Sequence, residues 1–407
     1  MARSGWPVVL VINQFAMPRT QWGLTRNAEL FSRVQGWDPV IVSASRDHYS
    51  QAVFTTTDPL FRLVDVPAYQ GNGPKRMWGW VVFGARAARI GLMTKRLGLV
   101  FASSPHLLAP VAGYLVSLVR RVPLVVEIRD LWPESIVASG NLRRGSTIHR
   151  VLQWLERFLY HRAAQLVVVT QGWEEHFAAL GVPADKVHVV PNGTEVADLP
   201  SATEREALRK QLGITGITAV YAGAHGPANG LGQVLDAAAK LPEVNFVLIG
   251  AGAEREALLD RSRREGLTNV EFRSPVPRSE LVQLLAACDI GIHVLAPWDL
   301  LSQGLSPNKV FDYFAAGLPL VSNCADGLRA VVTDGEAGRL GSFSELGQCL
   351  ADVAHASDEQ RRAWGAAGRE IVTTRYSRSS AAAQLTDILD AAARPRRRLS
   401  RPWTRRR

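Results

Sequence analysis

Cysteine is scarce: Cys288, Cys324 and Cys349 are the only three in 407 residues, too few and too scattered for a disulfide framework or a cysteine zinc site. They read as reduced thiols of a cytoplasmic protein. Long apolar runs are missing too. The longest, residues 107–119, holds 13 residues and ends at Arg120-Arg121, short of the ~18 that span a bilayer. The opening MARSGWPVVLVINQF carries one early Arg and a short apolar run, which fits a strand better than a secretory leader. No Asp-x-Asp occurs, and the nine histidines form no i,i+4 pair, so no required metal is expected. Acids are absent from the end of the chain, where residues 394–407 hold eight Arg. The net charge of +10 (47 basic less 37 acidic residues) therefore leaves about +2 for the body. A nucleic acid laid along the whole surface is not implied; only the tail is strongly basic.

What is present is the composition of a folded soluble protein, 47% hydrophobic and 21% charged, long enough for two or three domains. Short apolar runs alternate with helical stretches. Strands are predicted at 8–13, 39–43, 98–102, 124–128 and 166–170, with helices over 24–34, 78–97, 107–120 and 148–161. Turn formers cluster at Pro191-Asn192-Gly193 and Asp198-Leu199-Pro200. The alternation then restarts, with strands at 218–222, 246–249, 270–272, 290–294 and 319–322. Helices lie at 232–240, 254–265, 280–288 and 308–316, and a last one at about 380–393. The strands are hydrophobic throughout rather than alternating, as strands covered on both faces are. The fold class expected is α/β: two Rossmann-like, doubly wound parallel-sheet domains facing a cleft. Their bounds are 1–195 and 196–375, followed by a C-terminal helix over 376–393 and a basic tail over 394–407.

Four segments carry candidate chemistry. In LSPNKVFDYFAAGLPLVSN (305–323), Ser306 reads as an N-cap, Pro307 as the first helical residue and Gly317 as the close of the helix. Lys309 and Asp312 then share a face near the helix start, as a solvated pair or as an anion site. The loop 223–230 follows a strand and opens a helix, and Gly223, Gly226 and Gly230 allow close approach of a phosphate or simply make a βα turn. Gly250-Ala251-Gly252 reads as a tight turn lining the cleft. In EIRDLWPES (127–135), Arg129 and Asp130 sit just past a strand end, and Glu134 completes a charged bracket around Trp132-Pro133. That bracket is an acceptor site, with Arg129 for a phosphate and Asp130 to orient or deprotonate a hydroxyl, or else a pair fixing a loop.

Taken together, these runs resemble the retaining glycosyltransferases of family 4, with VVPNGTE (189–195) similar to their interdomain hinge. The likeness also takes in YAGAHGPANGLGQVLDAAAKL (221–241) and VLIGAGAEREAL (247–258), and it extends from residue 8 to about 390. It is strongest toward the N-acetyl-L-fucosamine transferase branch of surface-polysaccharide biosynthesis. The resemblance implies a GT-B fold and transfer of a hexose-type sugar, N-acetylated or deoxy, from a UDP-sugar. The acceptor it implies is polyprenyl-phosphate-linked or a glycan. It implies a carboxylate for the nucleotide ribose at Asp312 and a cation near the diphosphate at Lys309, with His225, Asn229 and Arg278 as further donor contacts. Gly223, Gly230 and the amides between them join these, and Gly23 in the Trp22-Gly23 loop approaches the donor. No side chain reads as a nucleophile, so front-face attack with retention is expected, without a cofactor. The chain departs from the family in carrying Gly304 where many members have the first acid of a Glu-x7-Glu pair, and His225 and Asn229 where many have an Arg and a Lys. A loop histidine such as His225 is ordinarily solvated.

The Arg tail, with Trp403, reads as a contact for an anionic membrane surface or as a solubilising extension. RMWGWVVFGARAARIGLMTKR (76–96) is a basic amphipathic helix, and with 107–119 it is expected to dock a peripheral protein on the inner face of the plasma membrane. No nucleic acid partner is expected. A UDP-sugar 2-epimerase-like isomerase and a non-catalytic sugar-nucleotide-binding subunit are the competing readings.

Overall fold

Runs rich in valine, isoleucine and leucine form two all-parallel sheets. The computed structural model describes residues 5–20, 25–48, 50–69, 71, 73–104, 106–138, 140–297 and 304–394. The first sheet holds β1 (Val8–Ile12), β2 (Asp38–Ala44), β3 (Phe61–Val64), β4 (Leu97–Ser103), β5 (Leu124–Ile128), β6 (Gln165–Val168) and β7 (Val187–Val189). Its spatial order is β3-β2-β1-β4-β5-β6-β7. The second holds β8 (Thr218–Ala222), β9 (Asn245–Ile249), β10 (Val270–Arg273), β11 (Ile290–His293), β12 (Leu320–Ser322) and β13 (Gly338–Leu340), in the order β10-β9-β8-β11-β12-β13. Each order reverses direction beside the first strand of its sheet, between β1 and β4 and between β8 and β11. A doubly wound sheet opens a crevice at such a point.

Both faces of each sheet are covered. Along β1, Val8, Leu10 and Ile12 enter one core, while Val9 and Val11 enter another on the opposite face. Side chains so buried contribute about 1.5–3 kcal/mol each, which is why these strands carry no polar face. Helix Arg378–Ala393 crosses back from the second domain, and its Ala381, Leu385 and Leu389 fill the first domain's core beside Phe31. The expected helix at 107–120 is found as Leu108–Arg120, and that at 308–316 as Asn308–Ala315. Gly317 closes the latter with φ +71°. Ser306 does not cap it. The N-cap is Pro307, and the Ser306 hydroxyl instead accepts from the backbone N–H of Asn192 at 3.0 Å. A tie to the hinge has displaced the local cap.

Buried ion pairs knit the hinge. Arg26 is 2% exposed and donates to Glu127 (Nε to Oε1, 2.9 Å), to the Val190 carbonyl (2.6 Å) and to the Pro191 carbonyl (2.7 Å). Arg378 pairs with Glu29, fastening the last helix to the first domain. Among the described residues no helix is long and apolar enough to cross a membrane. The three cysteines are free and buried.

Candidate active site

In a βα unit the helix that follows a strand begins at the carboxyl edge of the sheet, so backbone N–H groups and loop side chains gather there. In the second domain Lys309 leaves the first turn of helix Asn308–Ala315 and reaches across to the end of β8. Its Nζ donates to the Tyr221 hydroxyl at 2.9 Å and to Asn229 Oδ1 at 3.4 Å, and lies 4.1 Å from the centroid of the Tyr221 ring. The Tyr221 hydroxyl in turn donates to the Ala224 carbonyl at 2.8 Å. Among the described residues no carboxylate forms an ion pair with Lys309. Burial lowers its pKa from 10.5 to about 7. An anion placed beside the ammonium group would restore its charge.

The loop after β8 comes this close because glycines let it. A Cβ on Gly223 would lie 3.0 Å from Lys309 Nζ, and one on Gly250 would lie 1.8 Å from the Gly223 carbonyl oxygen. The segment 250–252 is thus the tight turn expected of it, pressed against 223–225. Pro227–Asn229 forms a short 3-10 turn, and Gly230 then takes φ +56° before helix Gly232–Lys240 begins. His225 departs from the expectation of a solvated ring, being 0% exposed between Tyr221 and Phe272. Burial, then Arg255 and Lys309, lowers its pKa to about 4, so it stays neutral. Gly252 lies against the His225 backbone, where a Cβ would stand 2.4 Å from the carbonyl oxygen, and a Cβ on Gly250 would stand 3.0 Å from the ring's Cδ2.

Asp312 is half-buried and turned toward the hinge. Its Oδ1 accepts from Arg278 Nη2 at 2.8 Å and from the Thr194 hydroxyl at 2.6 Å. Arg278, expected as a second cation for the diphosphate, is thereby paired with a carboxylate. Gly304 adopts φ +93°, and a Cβ there would stand 2.2 Å from the Gln171 carbonyl of the first domain. The position where many family members carry an acid is here a backbone contact between domains. A cavity of about 340 Å³ lies behind it, lined by Thr170, Gln171, Ser306, Arg375 and Tyr376 among others. Neither Lys309 nor Asn229 lines that cavity.

In the first domain Glu127, at the end of β5, accepts from Arg26, from Ser103 Oγ at 2.6 Å and from Asn27 Nδ2 at 3.4 Å. Burial acts to raise its pKa, but the Arg26 and Arg129 guanidinium groups prevail and hold it below 4.5. The Arg129 amide donates to Ser104 Oγ at 3.0 Å. Burial raises the pKa of Asp130 against the opposing influence of the nearby Ser135 hydroxyl and Leu131 amide, a shift suited to a proton acceptor beside a reacting hydroxyl. Glu134 is engaged by Arg144 (2.8 Å), His149 (3.2 Å) and Gln153 (3.2 Å), ties that brace the following helix. Gly23 and residues 395–407 of the Arg tail lie outside the described residues.

The structure therefore brings Lys309, Asn229, Gly223 and Gly230 to one edge, and Asp312 with Arg278 to the hinge. Tyr221 and Thr194 escaped the sequence reading. Tyr221 lies in an unbroken apolar strand and reads as core, and only its position two residues before Gly223 hints at another use. Among the described residues no group of three metal-ligating side chains is assembled.

Residues 1–193 match the family described as "Glycosyl transferase 4-like domain", and residues 232–387 match "Glycosyl transferase-like". The D-inositol 3-phosphate glycosyltransferase of Xylanimonas cellulosilytica is 31% identical over 252 residues, 57% of this chain and 58% of its own length. The phosphatidyl-myo-inositol mannosyltransferase of Mycobacterium leprae is 28% identical over 213 residues, 50% and 53% of the two lengths. The chain thus aligns with little more than half the length of these curated relatives. Among solved structures, Anabaena HepE in complex with UDP-glucose superposes with a TM-score of 0.71 at 20% identity, over 94% of this chain and 99% of that one. WaaG, a glycosyltransferase involved in lipopolysaccharide biosynthesis, does so with a TM-score of 0.66 at 17% identity, over 94% and 99%. At such identities the likeness bears on the fold, which is GT-B.

Proposed function

We infer that this chain, which carries family-4-type glycosyltransferase domains in both halves, moves a sugar from a nucleotide donor on its second domain to an acceptor on its first. The observation that carries the reading is Lys309: a half-buried ammonium group with no ion-pair partner among the described residues, held over Tyr221 where two helices begin. A diphosphate is the chemistry such a place favours, since it meets a cation and backbone N–H groups together. UDP is the nucleotide we assign, in keeping with the UDP-glucose bound by the fold neighbour. The sugar is of hexose type, N-acetylated or deoxy, as the motif resemblance suggests. Asp312 serves the ribose, which requires its partners Arg278 and Thr194 to share it.

In the reaction the acceptor hydroxyl oxygen bonds to the anomeric carbon while the bond from that carbon to the diphosphate oxygen breaks. Attack on the face the diphosphate leaves retains configuration, and the hydroxyl proton departs with the leaving group or passes to Asp130. Lys309 and the helix-start amides stabilise the charge that develops on UDP, so a divalent ion is not required.

We place the acceptor in the first domain, polyprenyl-phosphate-linked or a glycan. Helices Pro74–Met93, Leu108–Arg120 and Thr147–Arg162 pack in sequence, the second against each of the others. They expose Trp78, Met93, Leu118, Val119, Val151 and Trp154. Basic residues accompany them, and their only acid, Glu156, is buried against His176. That combination suits an anionic leaflet on the inner face of the plasma membrane.

A thermal-shift screen of UDP-, GDP- and dTDP-sugars tests the reading. A UDP-sugar at about 100 times its dissociation constant stabilises by about 2.7 kcal/mol, and Lys309→Met abolishes the shift. Indifference of the wild type to every nucleotide sugar would overturn it, and a new epimer formed from donor alone would favour an isomerase. Retention of the chain on anionic liposomes at low salt tests the docking.

A further inference from the structure

The cavity of about 340 Å³ behind Gly304 has no part in the reaction outlined above, yet it falls at the lower end of the size range of small-molecule sites. Its walls come from three parts of the chain. Thr170 and Gln171 follow β6 in the first domain, Ser306 and Arg375 belong to the second, and Ser380 and Gln384 lie one turn apart on the crossing helix Arg378–Ala393. The hinge runs along it. The carbonyl of Tyr376, another wall residue, accepts from the Thr194 amide at 3.1 Å, and the Ser306 hydroxyl holds the Asn192 amide.

The lining is one-sided in charge. Among the described residues that form it none is Asp or Glu, and Arg375 is the one charged side chain. Arg375 closes helix Asp358–Arg375 and is held in place: Nη2 donates to the Ala330 carbonyl at 2.9 Å and to the Tyr376 hydroxyl at 3.2 Å, and the guanidinium carbon lies 5.2 Å from the centroid of the Tyr376 ring. These partners are neutral, and among the described residues no carboxylate pairs with Arg375. A guanidinium so held keeps its charge and its remaining N–H donors for an anion, and its fork suits a phosphate or a carboxylate. The side chains of Gln171, Ser380 and Gln384 make no hydrogen bond among the described residues. Amides and hydroxyls both donate and accept, as a ring of ligand hydroxyls requires.

We propose that this interdomain cavity is a second ligand site, which takes an anionic monosaccharide whose phosphate or carboxylate meets Arg375 and whose hydroxyls meet Gln171, Ser380 and Gln384. Neither Lys309 nor Asn229 lines it, so the assignment does not depend on the donor reading. A molecule seated there touches both domains and the crossing helix at once. It favours their docked arrangement, because separated domains would offer it only part of its contacts.

Isothermal titration of the full chain with glucose 6-phosphate and with glucuronate tests it, glucose and inorganic phosphate serving as controls. At least one of the two anionic sugars binds, and both controls bind at least about tenfold more weakly. Arg375→Gln weakens the anionic sugar about tenfold or more. Ser380→Leu, which removes no side-chain hydrogen bond and fills the cavity, does the same and carries the test if Arg375→Gln fails to fold. Lys309→Met leaves this binding unchanged, and UDP binding is unmoved in both cavity variants. Slowed amide exchange in both walls, 169–172 and 374–377, marks the bridge between domains. Failure of both anionic sugars to bind, equal binding of either control, full affinity in the folded cavity variants, loss of binding in Lys309→Met, or slowing confined to one wall would overturn the site. A wild type indifferent to UDP that binds the anionic sugar as stated would instead overturn the donor reading and leave this site standing.

Discussion

The charge state of Lys309 makes a quantitative prediction about nucleotide binding. Its pKa near 7 comes from burial without a compensating anion. A bound diphosphate supplies that anion and returns the group toward its ordinary 10.5, so binding takes up a proton wherever the free lysine is neutral. With a free-state pKa of 7, about one lysine in four is charged at pH 7.5 and about one in a hundred at pH 9. UDP affinity therefore falls about 25-fold across that interval, equivalent to about 2 kcal/mol. His225 stays neutral throughout and adds no slope. Isothermal titration of UDP in buffers of different ionisation enthalpy measures both the slope and the proton uptake. Lys309→Met binds weakly at pH 7.5 and with a flat profile, whereas Lys309→Arg stays charged and removes the slope by another route. A flat wild-type profile, or a slope that survives in Lys309→Met, would refute the placement of the diphosphate beside this lysine.

Other outcomes follow from the hinge and the buried ion pairs. Asp312→Asn lowers turnover with nucleotide sugar more than about tenfold, and it also costs about 1–3 kcal/mol of stability because Arg278 loses its anion. Urea unfolding beside activity measurements checks both, and an undiminished rate would exclude Asp312 from the site. Gly304→Ala costs about 2 kcal/mol or more, given φ +93° and the close Gln171 carbonyl, and an unchanged melting temperature would contradict this geometry. Glu127→Gln leaves Arg26 buried without its counter-charge and costs about 3 kcal/mol. The folded pKa of Glu127 is held below 4.5, so its stabilisation is present above that pH and lost as pH falls through the folded value. The variant's stability is accordingly less acid-sensitive, which unfolding measured across pH 3–6 would reveal.

Much of the fold was legible where the signal is local and dense. Residues 218–222 and 232–240 are found with the expected bounds, because an apolar run between turn formers and an amphipathic stretch each announce themselves. Strands β3, β7 and β13 were missed. They lie at sheet edges with one neighbour each, and the mixed burial of Phe61–Val64 or Val187–Val189 erases the continuous apolar signature. At the candidate site, Lys309 and Asn229 were named through the motif resemblance, whereas Tyr221 was not. Tyr221 sits in an apolar strand and looks like packing until its hydroxyl is seen beside Lys309.

By itself the sequence determined two α/β halves, a hinge near residue 192, and the helix start that carries Lys309 and Asp312. These depend on contacts within a few residues or on periodicity along one element. Only the tertiary structure decided what those groups meet. Asp312 is held by Arg278, 34 residues away, and by Thr194, 118 away, and the last helix returns to the first domain to pair Arg378 with Glu29. Such partnerships follow from strand order and domain docking, which bring distant carboxyl ends and hinge residues together regardless of their separation along the chain.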